Sequence, residues 1–204
     1  MNAAGILPVF TGTAVHDAWA PYDTYPQLTH ALCNAHLLRE LIAVTDHHHE
    51  SAEPESWCWA HQVIDNLIAI KTVTDTGQAP VDADILARHR RLIIHAARTG
   101  ATKSPPGKVG NKHRALARRI GTRVEDYLRF ATDPNTPFDN NAAEREIRMA
   151  KLRQKISGGM RTLAGAEHFA SLRSYLATTA KHGIDGLDAL TRLANGTPWT
   201  PQTS

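Results

Sequence analysis

Apolar positions along the chain recur mostly at the three- and four-residue spacing of helices, and only the first stretch departs from it. Ile6-Leu7-Pro8-Val9-Phe10 and Thr13-Ala14-Val15 are short apolar or β-branched runs around a turn-like Thr11-Gly12. The second run predicts a strand ending at His16-Asp17. Ala20-Pro21-Tyr22 then stops regular structure, because proline supplies no amide donor. From Gln27 to about Val44 the pattern turns helical, with Leu28, Leu32, Ala35, Leu38 and Ile42 on one stripe. His47-His48-His49-Glu50 and Glu53-Pro54 read as a polar loop. A second helix is expected from Ser56 to about Thr72, and Thr76-Gly77-Gln78-Ala79-Pro80 breaks it. Asp82 is placed to cap a third helix running through Ala97, with Ile85, Leu86, His89, Leu92, Ile93 and Ala96 on its buried face.

Ser104-Pro105-Pro106-Gly107 and Gly110 form the clearest linker, followed by a fourth helix from about Lys112 to Phe130. Asp133-Pro134 ends it. Asn140 or Asn141 caps a helix to about Lys151, Gly158-Gly159 interrupts, and a long helix spans about Ala164 to Lys181, closed by Gly183. A last short helix covers Leu187 to Leu193. The expected fold class is mainly α with one or two amino-terminal strands. An isolated strand is not stable in water, so a pairing partner is expected upstream, and the chain reads as the carboxy-terminal portion of something longer.

Composition changes this picture little. The 42% hydrophobic and 21% charged content over 204 residues suits a soluble globular core. No apolar run approaches the roughly 20 residues that span a bilayer. Met1 to Gly5 carries no positive charge, and two cysteines do not make a disulfide scaffold. A cytoplasmic setting with no membrane partner is expected. Charge is more informative. Residues 1–87 hold 2 Lys/Arg against 11 Asp/Glu, whereas residues 88–123 hold 11 Lys/Arg and no acid. Such an unopposed basic block either attracts phosphate or forms a solvated helix surface or a flexible basic linker.

Three local features carry candidate chemistry. Asp17 stands at the carboxyl end of a strand, where a fixed backbone lets a carboxylate face a cleft; a turn-forming aspartate is the competing reading. Glu144 falls three residues after Asn141, as in a capping box, and four before Arg148, yet it is embedded among Arg145, Arg148, Lys151, Arg153, Lys155 and Arg161. Cys33-x-x-His36 and Cys58-x-x-His61 repeat one spacing. Four such ligands suit zinc in principle, but both pairs lie in amphipathic patterns that favour burial, so zinc is not expected. The histidines at 47–49 are assigned no role.

Taken together, three blocks resemble the IS66 insertion-sequence transposases. They are Phe10-Thr-Gly-Thr-Ala-Val-His-Asp-Ala-Trp-Ala-Pro-Tyr22, Leu32-Cys-Asn-Ala-His-Leu-Leu-Arg-Glu-Leu41, and Pro137-Phe-Asp-Asn-Asn-Ala-Ala-Glu-Arg-Glu-Ile-Arg148 with its continuation to Tyr175. The resemblance implies a truncated RNase H-like α/β catalytic core interrupted by a helical insertion. Its segments would be a strand remnant at 1–26, the insertion at 27–132 ending in a basic segment, the rest of the core at 133–186, and a short helix and tail at 187–204.

By the same resemblance, Asp17 and Glu144 are the second aspartate and the glutamate of a DDE triad, whose first aspartate belongs on an earlier strand. The implied reaction is metal-dependent DNA cleavage and strand transfer, with Mg²⁺ or Mn²⁺ ions roughly 3.5–4 Å apart. Arg145, Arg148, Lys151 and Lys155 would hold DNA, and Lys112, Arg114, Arg118 and Arg119 would extend the track. Cys33 and His36 are a candidate structural pair. The implied partners are insertion-sequence ends and target DNA, together with a full-length transposase or a second copy, in a nucleoid-associated setting. The alternative is a non-catalytic, DNA-binding remnant.

Overall fold

In the computed structural model, which describes residues 5, 7–51, 57–157 and 160–201, strand β1 (Thr13–His16) pairs in parallel with β2 (Thr29–Leu32). Thr13 lies opposite Thr29 and His16 opposite Leu32. Among the described residues, the strand that pairs with β1 comes from downstream. The residues Thr29 to Leu32, expected to be helical, are extended because pairing with β1 satisfies their backbone groups. A 3-10 helix, Ala20–Thr24, opens with proline near its first turn and bridges the two strands. The Leu7-Pro8-Val9 run is a turn rather than a strand, and Val9 is exposed. Ile6, the Glu53-Pro54 loop, the Ser56 helix start and the Gly158-Gly159 break lie outside the described residues.

Helix α1 (Asn34–Ser51) begins one residue after Cys33 and runs through the three histidines that the polar pattern assigned to a loop. Val44 and Thr45, just before the histidines, are buried, and the His47 ring meets His113 edge-on at 5.2 Å. Helices α2 (Trp59–Asp75), α3 (Ala83–Lys103) and α4 (Lys108–Thr122) follow, with α3 packed along both of the others. Asp82 caps α3 as its sequence position predicts, accepting from the Asp84 and Ile85 amides at 3.0 and 3.1 Å. The expected fourth helix is divided. After α4, the short turns α5 (Val124–Tyr127) and α6 (Arg129–Thr132) swing Tyr127 and Phe130 into the core.

Leu37, Leu41, Val63, Leu67, Ile70, Ile93 and Ile120 form the fully buried centre of this unit, Met1–Asn141. Each contributes about 1.5–3 kcal/mol of burial before entropy is counted. Two glycines permit close approaches. A Cβ on Gly100 would lie 2.5 Å from the Trp59 ring, so α2 and α3 meet closely only because that position is bare. A Cβ on Gly110 would lie 1.7 Å from the Pro105 carbonyl oxygen. The segment read as a linker is thus a tight corner, with Gly110 buried inside α4.

The junction between β2 and α1 gathers several of the unit's long-range hydrogen bonds. The Asn34 side-chain amide donates to the Tyr127 carbonyl at 2.9 Å and to the Phe138 carbonyl at 3.3 Å, and its backbone amide donates to the same Phe138 oxygen at 3.1 Å. The Cys33 amide donates to the His16 carbonyl at 2.8 Å. Arg129 donates to the His30 carbonyl at 3.0 Å, tying β2 to α6.

The second unit, Ala142–Ser204, holds nearly all of α7 (Asn141–Ser157), then α8 (Leu163–Lys181) and α9 (Gly186–Ala194). Thr162 caps α8 through the Gly165 amide, and Asp185 caps α9 through the Leu187 and Asp188 amides. Gly183 turns the chain between them at a φ of 76°. Ala189 is fully buried, and its carbonyl accepts from the Tyr175 hydroxyl at 3.0 Å. A Lys181–Glu146 ion pair at 3.4 Å links α8 to α7.

Replacing Asn34 by alanine leaves the buried Tyr127 carbonyl without its donor and removes one of two from Phe138. The expected loss is about 2–3 kcal/mol, read as a lower urea midpoint at unchanged m-value. A loss below about 0.5 kcal/mol would show that the junction does not hold the unit together.

Candidate active site and basic surface

Asp17 follows β1 immediately and is exposed. Its Oδ1 accepts the Trp19 amide at 3.2 Å, closing an Asx turn. Between them Ala18 has a φ of 64°, the one positive value at a non-glycine among the described residues. For alanine this conformation costs about 1–2 kcal/mol, and it sends the chain sharply away from the strand end. Among the described residues no ion pair involves Asp17, and the carboxylate is exposed with one oxygen held by an amide. Hard oxygen donors of this kind suit Mg²⁺ or Mn²⁺ better than softer metals.

Behind Asp17 lies a feature that the sequence reading passed over. His16 is buried, its ring stacked on Tyr22 with centroids 4.4 Å apart. Its Nε2 lies 3.1 Å from Nδ1 of His30, and its own Nδ1 is buried without a hydrogen-bond partner. Asp23, on the 3-10 helix, accepts from Arg123 Nη1 at 2.9 Å, and Arg123 Nε donates to Asp126 at 2.8 Å. His16, Asp23 and His30 bring one ligating atom each within 4.8 Å of one another. The available signal was a His-Asp pair closing one strand and a second histidine on the neighbouring strand. It becomes legible only once the strands are known to pair.

Burial, reinforced by the neighbouring His30 and Arg123, lowers the pKa of His16 to about 4, against the opposing pull of Asp23 and Asp17. The ring is therefore neutral near pH 7. His89 and His113 are also held below the ordinary histidine range, each mainly by burial.

The candidate structural pair is adjacent in space: Cys33 Sγ lies 3.2 Å from His36 Nδ1 and also accepts the Asn140 amide at 3.4 Å. Cys58 is buried too, against a cleft of about 220 Å³ lined by His47, Trp57, Trp59, Lys103 and His113. Among the described residues Cys33, His36, Cys58 and His61 do not gather as a ligand group.

The basic block divides by depth. Arg119 pairs with Glu40 and donates to the Tyr127 hydroxyl at 3.0 Å; Arg90 pairs with Glu125. Arg114 donates to Pro105 O at 3.2 Å and Asn111 Oδ1 at 3.1 Å. Arg90 and Arg119 join separate helices, whereas Arg114 closes the corner that leads into α4. Arg88, Arg91, Arg98, Lys103, Lys112 and Arg118 are exposed on α3 and α4.

Glu144, in the second unit, is half-buried in the first turn of α7, with Arg145, Arg148 and Lys155 exposed along the helix. The side chain of Lys151 lies outside the described residues. Asp139 Oδ1 accepts the Asn141 amide at 2.9 Å, so Asn141 is already helical and Glu144 is the fourth residue of the helix rather than its third.

The chain matches the model of the Transposase IS66 family over residues 2–168. No curated protein and no solved structure gives a significant match. No described helix is long and apolar enough to cross a membrane.

Because His16 titrates near 4 when folded and near 6.5 when unfolded, the unfolded chain binds the extra proton between those values. Its contribution to stability is present in full above about pH 6.5 and is lost as pH falls toward 4, on the order of 3 kcal/mol in all. His89 and His113 act in the same direction. Urea unfolding of metal-free protein at pH 7.5, 6 and 5 should show this fall, and His16→Gln should flatten most of it. An unchanged slope in that variant would assign the loss to other groups.

Proposed function

Because the chain belongs to the IS66 family of transposases, we propose that it acts in DNA transposition through DDE-type chemistry, with Asp17 and Glu144 as carboxylates of the metal-binding set. The observation that carries this reading is Asp17 itself. It is exposed at a strand end, oriented by the Trp19 amide and held by an unfavourable backbone turn at Ala18. The parallel pairing of β1 with β2 supports an RNase H-like core, with the helices of the 27–132 segment as its insertion. The segments 1–26, 133–186 and 187–204 are proposed as strand remnant, remaining core, and short helix with tail.

Divalent ions bound to such carboxylates supply Lewis acidity to an oxygen nucleophile and stabilise the leaving oxygen of the phosphodiester. Asp17 and Glu144 would hold Mg²⁺ or Mn²⁺ through oxygen donors alone. Arg145, Arg148, Lys151 and Lys155 follow Glu144 on one helix and would engage DNA phosphates without reading sequence. Lys112 and Arg118, exposed on α4, extend this role in the first unit. Arg114 and Arg119, on the same helix, would act mainly by shaping the surface, since both already hold protein partners. DNA is the partner, joined by a second copy or a full-length transposase.

A second reading, DNA binding without cleavage, is favoured by the exposed cationic row on α3 and α4. Supercoiled DNA incubated with purified protein and Mg²⁺ or Mn²⁺ separates the two. Nicking that falls to background in both Asp17→Asn and Glu144→Gln is the expected result. Nicking unchanged in either variant removes that residue from the site. Absence of nicking, with tight salt-sensitive binding, favours the second reading. In the binding assay, Lys112→Ala combined with Arg118→Ala should reduce the slope of log K against log salt by about 1.8, since each phosphate contact contributes about 0.9.

A further inference from the structure

We propose that His16, Asp23 and His30 form a binding site for one borderline divalent ion of the Zn²⁺ class, separate from the carboxylate site of Asp17. The three residues come from three consecutive elements: the end of β1, the 3-10 helix Ala20–Thr24 and β2. Their ligating atoms lie within 4.8 Å of one another, the one such group of three among the described residues.

The spacing of the two nitrogens is the strongest observation. Ligands about 2.0–2.1 Å from a tetrahedral zinc lie about 3.3 Å apart. His16 Nε2 and His30 Nδ1 are 3.1 Å apart, so little movement is needed to admit an ion between them. Both rings are restrained: His16 by stacking on Tyr22, and His30 by a strand whose carbonyl is held by Arg129. Asp23 gives Oδ1 to Arg123 and leaves Oδ2 for the ion. That arrangement, a ligating carboxylate held from behind by a second charged group, is the usual outer support of a metal site. Arg123 is in turn held by Asp126, which offsets its charge. Two imidazoles and a carboxylate match borderline ions, whereas the exposed carboxylate of Asp17 matches hard ones.

Three protein ligands leave a fourth position open, for water or an oxygen of a ligand. Binding would staple residues 16 to 30 into one loop. Asp17 lies inside that loop, directly after the first ligand. The ion would therefore fix the strand end that presents Asp17 without touching the carboxylate.

The test uses the full chain stripped with chelator and titrated with Zn²⁺ against a colorimetric indicator, and with Co²⁺ as a spectroscopic probe. One equivalent of tightly bound ion and the intense visible absorption of tetrahedral Co²⁺ are expected. His30→Gln and Asp23→Asn should each lower affinity by more than about 100-fold, beyond the range for outer-support residues. Asp17→Asn should leave it within a few-fold of the parent, which separates this site from the proposed catalytic carboxylates. Should His16→Ala fail to fold, His30→Gln decides the matter, because His30 is only half-buried. Replacing His47, His48 and His49 together by alanine controls for the exposed histidine run. Binding lost in that variant but retained in His30→Gln would overturn the proposal. So would failure of the parent protein to bind either ion, which would leave His16 and His30 as a hydrogen-bonded pair.

Discussion

One buried side chain, Asn34, sets the geometry of the first unit. Its amide group serves carbonyls that are 93 and 104 residues distant in sequence, at Tyr127 and Phe138. The Tyr127 carbonyl, once held by Asn34, is drawn out of a continuous helical ladder, and the chain there breaks into two short turns. The Phe138 carbonyl, held twice, fixes the segment that leads into α7. Cys33 beside it ties back to β1 through its amide and forward to Asn140 through its sulfur. Strand, helix and exit loop therefore meet at two adjacent residues. The two carbonyls would be costly to leave without a donor, so the donations of Asn34 specify the arrangement even though its own side-chain oxygen is buried without a partner.

The positive charges of the first unit serve two physical ends. Arg90, Arg119 and Arg123 face carboxylates contributed by distant elements, and at Arg119 and Arg123 a planar guanidinium joins two partners at once. Arg123 spans Asp23 and Asp126, linking the strand region to α5. The exposed members have no such demand on them and keep their charge for solvent or phosphate. A block that is uniform in composition is therefore heterogeneous in role, and burial is what divides it.

Legibility followed the range of the interactions involved. The α3 cap at Asp82 and the start of α9 near Leu187 depend on bonds spanning two or three residues, and both stood out in the chain. β2 did not, because a four-residue strand has too little length to show a period, and Leu28, Leu32 and Ala35 mimic a helical stripe. The carboxyl end of α1 was hidden for a related reason. Three histidines read as polar loop, yet the helix continues through them, and the His47 ring packs against His113 of α4. Asp17 was visible from its place after an apolar run, whereas its neighbour His16 became meaningful only with His30 beside it.

The sequence by itself determined the helical character, the cap of α3, the unopposed basic block and the family, since each is written in spacing, composition or contiguous motif. Tertiary structure decided which residues share a site. It paired β1 with a strand from downstream, brought His16, Asp23 and His30 together, and sorted the arginines into staples and free charges. The physical reason is that hydrogen bonds and ion pairs between distant residues leave no local trace. Their partners are chosen by packing, and packing is known only when the chain has folded.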